Sequence, residues 1–202
     1  MPSFSGYLTD KNGNTILPAA SSVDWKDVTN KPDIYPVGAI YISVDATNPS
    51  DIFGGTWELI HKISIDTYRQ TSSGSIFTPN ANASSYTISY TLCNNILRIR
   101  LGIVNATEIN DNAIEFGTIN LNELGVSSLT YYNRNAATSD TNNGIAYLQI
   151  SDTGVVTTYD YLTRAGGVLP IGSNPLFDGT FPIRYDRLLD SYCKEWHWKR
   201  IA

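Results

Sequence analysis

Residues 86–103 run Tyr86-Thr87-Ile88-Ser89-Tyr90-Thr91-Leu92-Cys93-Asn94-Asn95-Ile96-Leu97-Arg98-Ile99-Arg100-Leu101-Gly102-Ile103. Side chains along a strand point alternately to its two faces, so a period of two sorts this stretch. Tyr86, Ile88, Tyr90 and Leu92 share one face, with Thr87, Ser89 and Thr91 on the other. Beyond the asparagines, Leu97, Ile99, Leu101 and Ile103 face inward, and Arg98 and Arg100 face outward. Asparagine tolerates positive φ, so Cys93-Asn94-Asn95 predicts a compact reversal. The stretch is an antiparallel hairpin with one buried face.

The same pattern extends outward in both directions. Residues 145–150 and 155–162 predict a second hairpin around Ser151-Asp152-Thr153-Gly154. Further strands are expected at 37–44, 56–60, 114–121, 181–185 and 196–201. Thr47-Asn48-Pro49-Ser50-Asp51 is a turn that opens one helical turn through Ile52 and Phe53, and Gly54-Gly55 breaks it. Helical character is confined to residues 121–129 and 185–192, both short. Short strands separated by polar turns predict an all-β fold, with a jelly-roll-like antiparallel sandwich at its centre. Residues 131–144 read as a long polar loop, a kind of segment that usually carries function.

Composition narrows the function classes. The hydrophobic share, 42%, can fill a core, but only 16% of residues are charged, below the usual quarter or so. Ser, Thr, Asn and Tyr must therefore supply a neutral surface, as in binding modules and in subunits that pack against copies of themselves. The net charge is -5, and no basic stripe exists to displace counterions from phosphates. Lys194, Lys199 and Arg200 are interleaved with Trp196 and Trp198 and read as a strand end. Nucleic acid is not an expected partner. No apolar run reaches bilayer length, so no membrane insertion is expected. Met1-Pro2-Ser3-Phe4-Ser5 lacks the basic and apolar regions of a signal peptide. The chain is expected to be made in a cytoplasm and to leave by lysis.

Catalytic patterns are missing from the sequence. His61 and His197 are each expected at a strand end beside Trp57 or Trp196, as sheet-edge or trimer-axis residues. No Gly-x-Ser-x-Gly elbow occurs, and Glu108, Asp111, Glu115, Glu123, Asp140, Asp152 and Asp160 are scattered without a local pairing pattern. Cys93 and Cys193 have no metal spacing and read as two buried free thiols. The chain is not expected to be an enzyme, and no cofactor or metal is expected. Asp10-Lys11-Asn12-Gly13-Asn14 predicts a hairpin turn between 6–9 and 15–17. A calcium loop is ruled out there, because Thr15 stands where glycine is required and Ser21 where the closing glutamate belongs. The rest of residues 1–34 is Pro-rich and polar, unable to fold alone, and reads as an attachment arm.

Two segments resemble a family of phage baseplate and tail-fibre proteins. The first is Tyr35-Pro36-Val37-Gly38-Ala39-Ile40-Tyr41-Ile42-Ser43, with Thr47-Asn48-Pro49 and Phe53-Gly54-Gly55-Thr56-Trp57-Glu58-Leu59-Ile60. It looks like the collar-like domain of such proteins. The second, Trp198-Lys199-Arg200-Ile201-Ala202, is similar to their Trp-Lys-Arg ending. Val23-Asp24-Trp25-Lys26-Asp27-Val28-Thr29-Asn30-Lys31-Pro32 is also similar to a short element of phage tail fibres. The resemblance covers about a quarter of the chain.

It implies a collar-like base domain of residues 35–61 and 191–202, with Gly38, Gly54, Gly55, Trp57 and Trp198 as its structural residues. The terminal strand would pair with the Trp57 strand, and residues 62–190 would form an inserted sandwich head like those of phage receptor-binding proteins. Relatives carry His-x-His pairs that can bind iron along a trimer axis; this chain has none, so no metal site carries over. The resemblance further implies a homotrimer in the virion, at the tail tip or baseplate, joined to other tail or baseplate proteins through residues 1–34. The leading function is a receptor-binding adhesin that meets a host-surface saccharide or protein. The alternative is a purely structural baseplate connector. A depolymerase is less favoured, because no long β-helix repeat is visible. For host contact the sequence offers Tyr131, Tyr132, Asn133, Arg134 and Asn135, with Tyr159 and Tyr161 as further aromatics. Tyrosine presents a flat apolar face to a sugar ring, and Asn and Arg give directional hydrogen bonds to hydroxyls.

Overall fold

Asn94 and Asn95 both take left-handed backbone angles, φ 48° and 62°. Two consecutive left-handed residues make the tight turn whose twist matches its flanking strands. The computed structural model describes residues 8–9, 15–17, 35–109, 113–129, 133–138, 145–162 and 171–202. They form β1 (Leu8–Thr9), β2 (Thr15–Leu17), β3 (Ile40–Ser43), α1 (Pro49–Phe53), β4 (Trp57–Ser64), β5 (Thr67–Thr71) and β6 (Phe77–Pro79). Then come β7 (Ala83–Cys93), β8 (Ile96–Asn105), β9 (Glu115–Ile119), β10 (Asn133–Thr138), β11 (Ile145–Ile150), β12 (Val155–Leu162), β13 (Leu176–Pro182) and β14 (Cys193–Arg200). Single 3-10 turns occur at Leu121–Leu124, Tyr185–Arg187 and Asp190–Tyr192, where the sequence suggested short helices. The fold is all-β, as expected.

The strands make a β1-β2 hairpin, a five-stranded sheet β10-β11-β12-β9-β6, a four-stranded sheet β13-β8-β7-β5 and a three-stranded sheet β3-β14-β4. Every pairing is antiparallel. Ile88, Leu92, Leu97, Ile99, Leu101, Phe177 and Phe181 from the four-stranded sheet are fully buried, as are Phe116, Leu148, Ile150 and Val156 from the five-stranded one. They belong to one core, so the two sheets form a sandwich. Both predicted hairpins are present, and β7 and β8 bury the residues that the period of two selects.

Several expectations need correction. Residues 131–144 are not one loop, because 133–138 form β10, in register with β11 from Asn133↔Ile150 to Thr138↔Ile145. Asn-Arg-Asn-Ala-Ala-Thr carries no apolar alternation; the strand exists because β11 offers a partner and β10 is the sheet edge, where polar residues are tolerated. Cys93 is exposed. It follows inward-facing Leu92 and so points outward. The first strand of the collar-like segment begins only at Ile40, since Ala39 donates to the Pro36 carbonyl (2.9 Å) in a turn. Both histidines stand inside strands, in β4 and β14.

The sandwich and the three-stranded sheet are joined through Asn95, which is half-buried, and through the buried Lys62. At the first, Asn95 Oδ1 accepts from the Ser64 amide (2.8 Å), and its Nδ2 donates to the Lys62 carbonyl (2.7 Å). The Asn95 amide donates to Ser64 Oγ (3.0 Å), and the Ile183 amide donates to the Asn95 carbonyl (2.7 Å). The β7-β8 turn is thus latched onto β4. At the second, the buried Lys62 Nζ donates to the Leu188 carbonyl (2.7 Å) and to Asp190 Oδ1 (2.9 Å).

Candidate binding surfaces

The outer face of the four-stranded sheet is a trough. Cross-strand register sets Tyr68 opposite Thr91 and Gln70 opposite Ser89. It sets Thr91 opposite Arg98 and Ser89 opposite Arg100, and Arg100 opposite Asp178. Facing residues on neighbouring strands share a side of the sheet. The middle strand β7 therefore supplies a floor of short hydroxyl side chains, Thr87, Ser89 and Thr91, while Tyr68 and Gln70 rise on one wall and Arg98 and Arg100 on the other. The hollow has a volume of about 500 Å³.

Its polar groups are ordered. Arg98 donates through Nε and Nη2 to the two carboxylate oxygens of Asp178 (2.9 and 2.8 Å). That fork holds the Asp178 carboxyl below the usual carboxylate range and raises the Arg98 pKa. Tyr68 Oη donates to Gln70 Oε1 (2.8 Å), and the residue is 65% exposed. Arg100 is exposed and forms no ion pair within 4.0 Å among the described residues.

A second open surface is the outer face of the three-stranded sheet. Ile40 and Ile42 lie opposite Lys199 and His197, and His197 lies opposite His61. The two imidazoles meet edge to face at 5.6 Å, and His61 sits 6.0 Å from the Tyr185 ring. His197 Nε2 lies 3.4 Å from Glu195 Oε2. Val37, Ile40, Ile42 and Val44 are exposed to 67, 50, 53 and 83%. No cluster of three or more potential metal ligands occurs among the described residues.

The five structural residues expected of the collar-like segment gather around this sheet. Trp57 packs edge to face on Tyr35 at 5.5 Å, beside Phe53 and Tyr41, and its Nε1 donates to the Gly54 carbonyl (2.9 Å). Gly54 caps α1, whose N-cap Asn48 accepts from the Ser50 amide (3.0 Å). At Gly55, φ is +74° and an added Cβ would lie 2.8 Å from the Ala202 carbonyl oxygen, so both conformation and space favour glycine. The Gly38 amide donates to the Arg200 carbonyl (2.8 Å), and the Arg200 guanidinium donates to the Tyr35 carbonyl. Trp198, on the inner face, donates to Ser43 Oγ (3.2 Å). The expected pairing of the terminal strand with the Trp57 strand is present, Arg200 lying opposite Trp57.

The residues proposed from sequence for host contact are only partly placed. Tyr131 and Tyr132 lie outside the described residues. Asn133, Arg134 and Asn135 are described by backbone alone, on edge strand β10, as are Tyr159 and Tyr161 on β12. Of residues 1–34 only the β1-β2 hairpin is described, with Leu8 opposite Leu17; the Val23 to Pro32 element lies outside. Sequence reasoning named the trough's floor and its arginine wall as outward-facing, but not as a site. Tyr68 was missed because β5 has no apolar alternation to mark it, and Asp178 because the strand there was expected only at 181–185 whereas β13 begins at Leu176.

The described residues thus form an all-β fold with a sandwich, a closing three-stranded sheet and two open faces. The chain belongs to the family described as baseplate structural protein Gp10, C-terminal domain, whose model matches residues 32–161. That span takes in the collar-like segment and most of the sandwich. No curated protein and no solved structure matches the chain. The protein is a phage baseplate protein and so a component of the virion. Among the described residues no helix is long and apolar enough to cross a membrane.

Proposed function

We propose that this baseplate protein is a host-contacting adhesin. In this reading it assembles as a homotrimer through the outer face of the three-stranded sheet. It presents the sandwich, strands β5 to β13, to the receptor, and joins other baseplate proteins through residues 1–34. The observation that carries the reading is the trough: a polar, hollow sheet face that no described part of the chain covers, with an exposed tyrosine, Tyr68, on its wall. Binding sites favour a concave surface with a few oriented polar groups. The exposed isoleucine and valine row on the three-stranded sheet supports self-association, since contiguous exposed apolar residues mark interaction sites. The reading is one of binding, without turnover.

The purely structural connector is the second reading, favoured by the word "structural" in the family's description. Phage carrying Tyr68→Ala with Arg100→Ala, and phage carrying Tyr131→Ala with Tyr132→Ala, separate the two. An adhesin gives normal tails by electron microscopy and reduced adsorption to host cells in at least one of the pairs. Tails that fail to assemble, or adsorption unchanged in both, would favour the connector. Light scattering of the purified chain should give a trimer; a stable monomer at micromolar concentration would reject the assembly.

A further inference from the structure

The trough also constrains what it can hold. We infer that the trough along β7 is a saccharide site, an inference that rests on the adhesin reading. Its ligand is an acidic oligosaccharide, with a sugar ring on Tyr68 and an anionic group on Arg100. Three observations converge. The first is shape. A floor of Thr87, Ser89 and Thr91 between two walls of long side chains makes a channel parallel to the strand. The strands that carry the walls lie on either side of β7, so the channel is on the order of 10 Å wide, the width of one sugar ring with its substituents.

The second is chemistry. Hydroxyls that both donate and accept line the floor, which suits the hydroxyls of a glycan. The exposed Tyr68 ring offers a flat apolar face, its hydroxyl donating to Gln70. The Asp178 carboxylate, paired through both oxygens, holds the Arg98 guanidinium in place on the wall.

The third is charge. The whole chain carries -5, yet the hollow is lined by two guanidiniums, Arg98 and Arg100, with Asp178 on the neighbouring strand β13. Arg98 is bonded to Asp178, whereas Arg100, across from Ser89, faces Asp178 and acts on it through charge alone, with no ion pair within 4.0 Å among the described residues. A guanidinium with open donors recognises a carboxylate or phosphate through two parallel hydrogen bonds. Repeating acidic units along a glycan would let several copies of the site bind together, so each one can be weak.

The experiment displays carboxylated, phosphorylated and neutral oligosaccharides on an array and applies the full chain, Arg100→Gln and Tyr68→Ala. Both side chains are exposed, so the variants should melt with the native chain. Adsorption of the purified chain to host cells is measured in parallel. The native chain should retain acidic glycans, with the first two arms telling carboxylate from phosphate. Arg100→Gln should weaken retention about tenfold, the loss of one charge-assisted pair, and Tyr68→Ala should weaken it as well. Retention of neutral glycans alone, or unchanged binding by Arg100→Gln, would overturn the proposal. A chain that adsorbs to cells but retains no glycan overturns it and leaves the adhesin reading standing. A chain that retains acidic glycans through these residues but adsorbs to no cell supports the trough and sinks the adhesin reading.

Discussion

Replacing Asn95 by alanine tests how the sandwich is fastened to the three-stranded sheet. The substitution removes two side-chain hydrogen bonds, from the Ser64 amide and to the Lys62 carbonyl, each worth about 1 kcal/mol. It also forces alanine into a left-handed backbone at φ 62°, which costs roughly 1–2 kcal/mol for a residue with a Cβ and no local polar compensation. The expected loss is about 3–4 kcal/mol, a large share of a domain's stability. Asn95→Gly separates the two contributions, because glycine accepts the conformation and loses only the bonds; its expected loss is about 2 kcal/mol. Urea unfolding at one fixed chain concentration measures both, the fixed concentration removing any effect of assembly. Equal losses in the two variants would refute the backbone part of the reasoning. Losses under about 0.5 kcal/mol in both would refute the latch itself.

Other perturbations should be as specific. At Gly117, φ is +141° and an added Cβ would lie 2.1 Å from the Thr78 carbonyl oxygen; Gly117→Ala should part β6 from β9 and lower stability by more than about 2 kcal/mol, and an unchanged melting temperature would deny that close approach. Trp198→Ala empties a buried site on the central strand of the three-stranded sheet and should lose about 3–5 kcal/mol, with Trp198→Phe between it and the native chain in denaturant midpoint. Arg98 lowers the folded-state pKa of Asp178, so the pair stabilises the fold above the ordinary carboxylate pKa and the contribution fades as pH falls through the lower, folded value. Below about pH 4 the native chain should therefore lose stability faster than Asp178→Asn, read as the slope of denaturation midpoint against pH; parallel slopes would count against the pair.

The hairpin of β7 and β8 was legible because two simple signals coincide there, a strict period of two and an Asn-Asn pair suited to positive φ. The β11-β12 hairpin was legible for the same reasons, with Gly154 at φ 88° closing its turn. Strands β5 and β6 were not, since Thr67–Thr71 is polar on both faces and Phe77–Pro79 is too short to show any period. Strand β10 reads as loop in the sequence because an edge strand needs no apolar face. Lys62 gave no sign of burial, because its partners, the Leu188 carbonyl and Asp190, lie more than a hundred residues further along the chain. The trough was half visible: alternation turned Thr87, Ser89, Arg98 and Arg100 outward, but only pairing with β5 and β13 brings Tyr68 and Asp178 beside them.

Strand β14 lies between β3 and β4, which do not bond to each other. A ribosome delivers β3 and β4 first, then every strand of the sandwich, and only afterwards the strand that joins the first two. Translation stopped between Pro182 and Cys193 would leave a product with all the sandwich strands but no closed three-stranded sheet. If that sheet is the surface through which copies associate, the order of the strands acts as proofreading. A fragment with every sandwich strand would then be unable to associate with full-length copies, and only chains read through β14 would enter the oligomer.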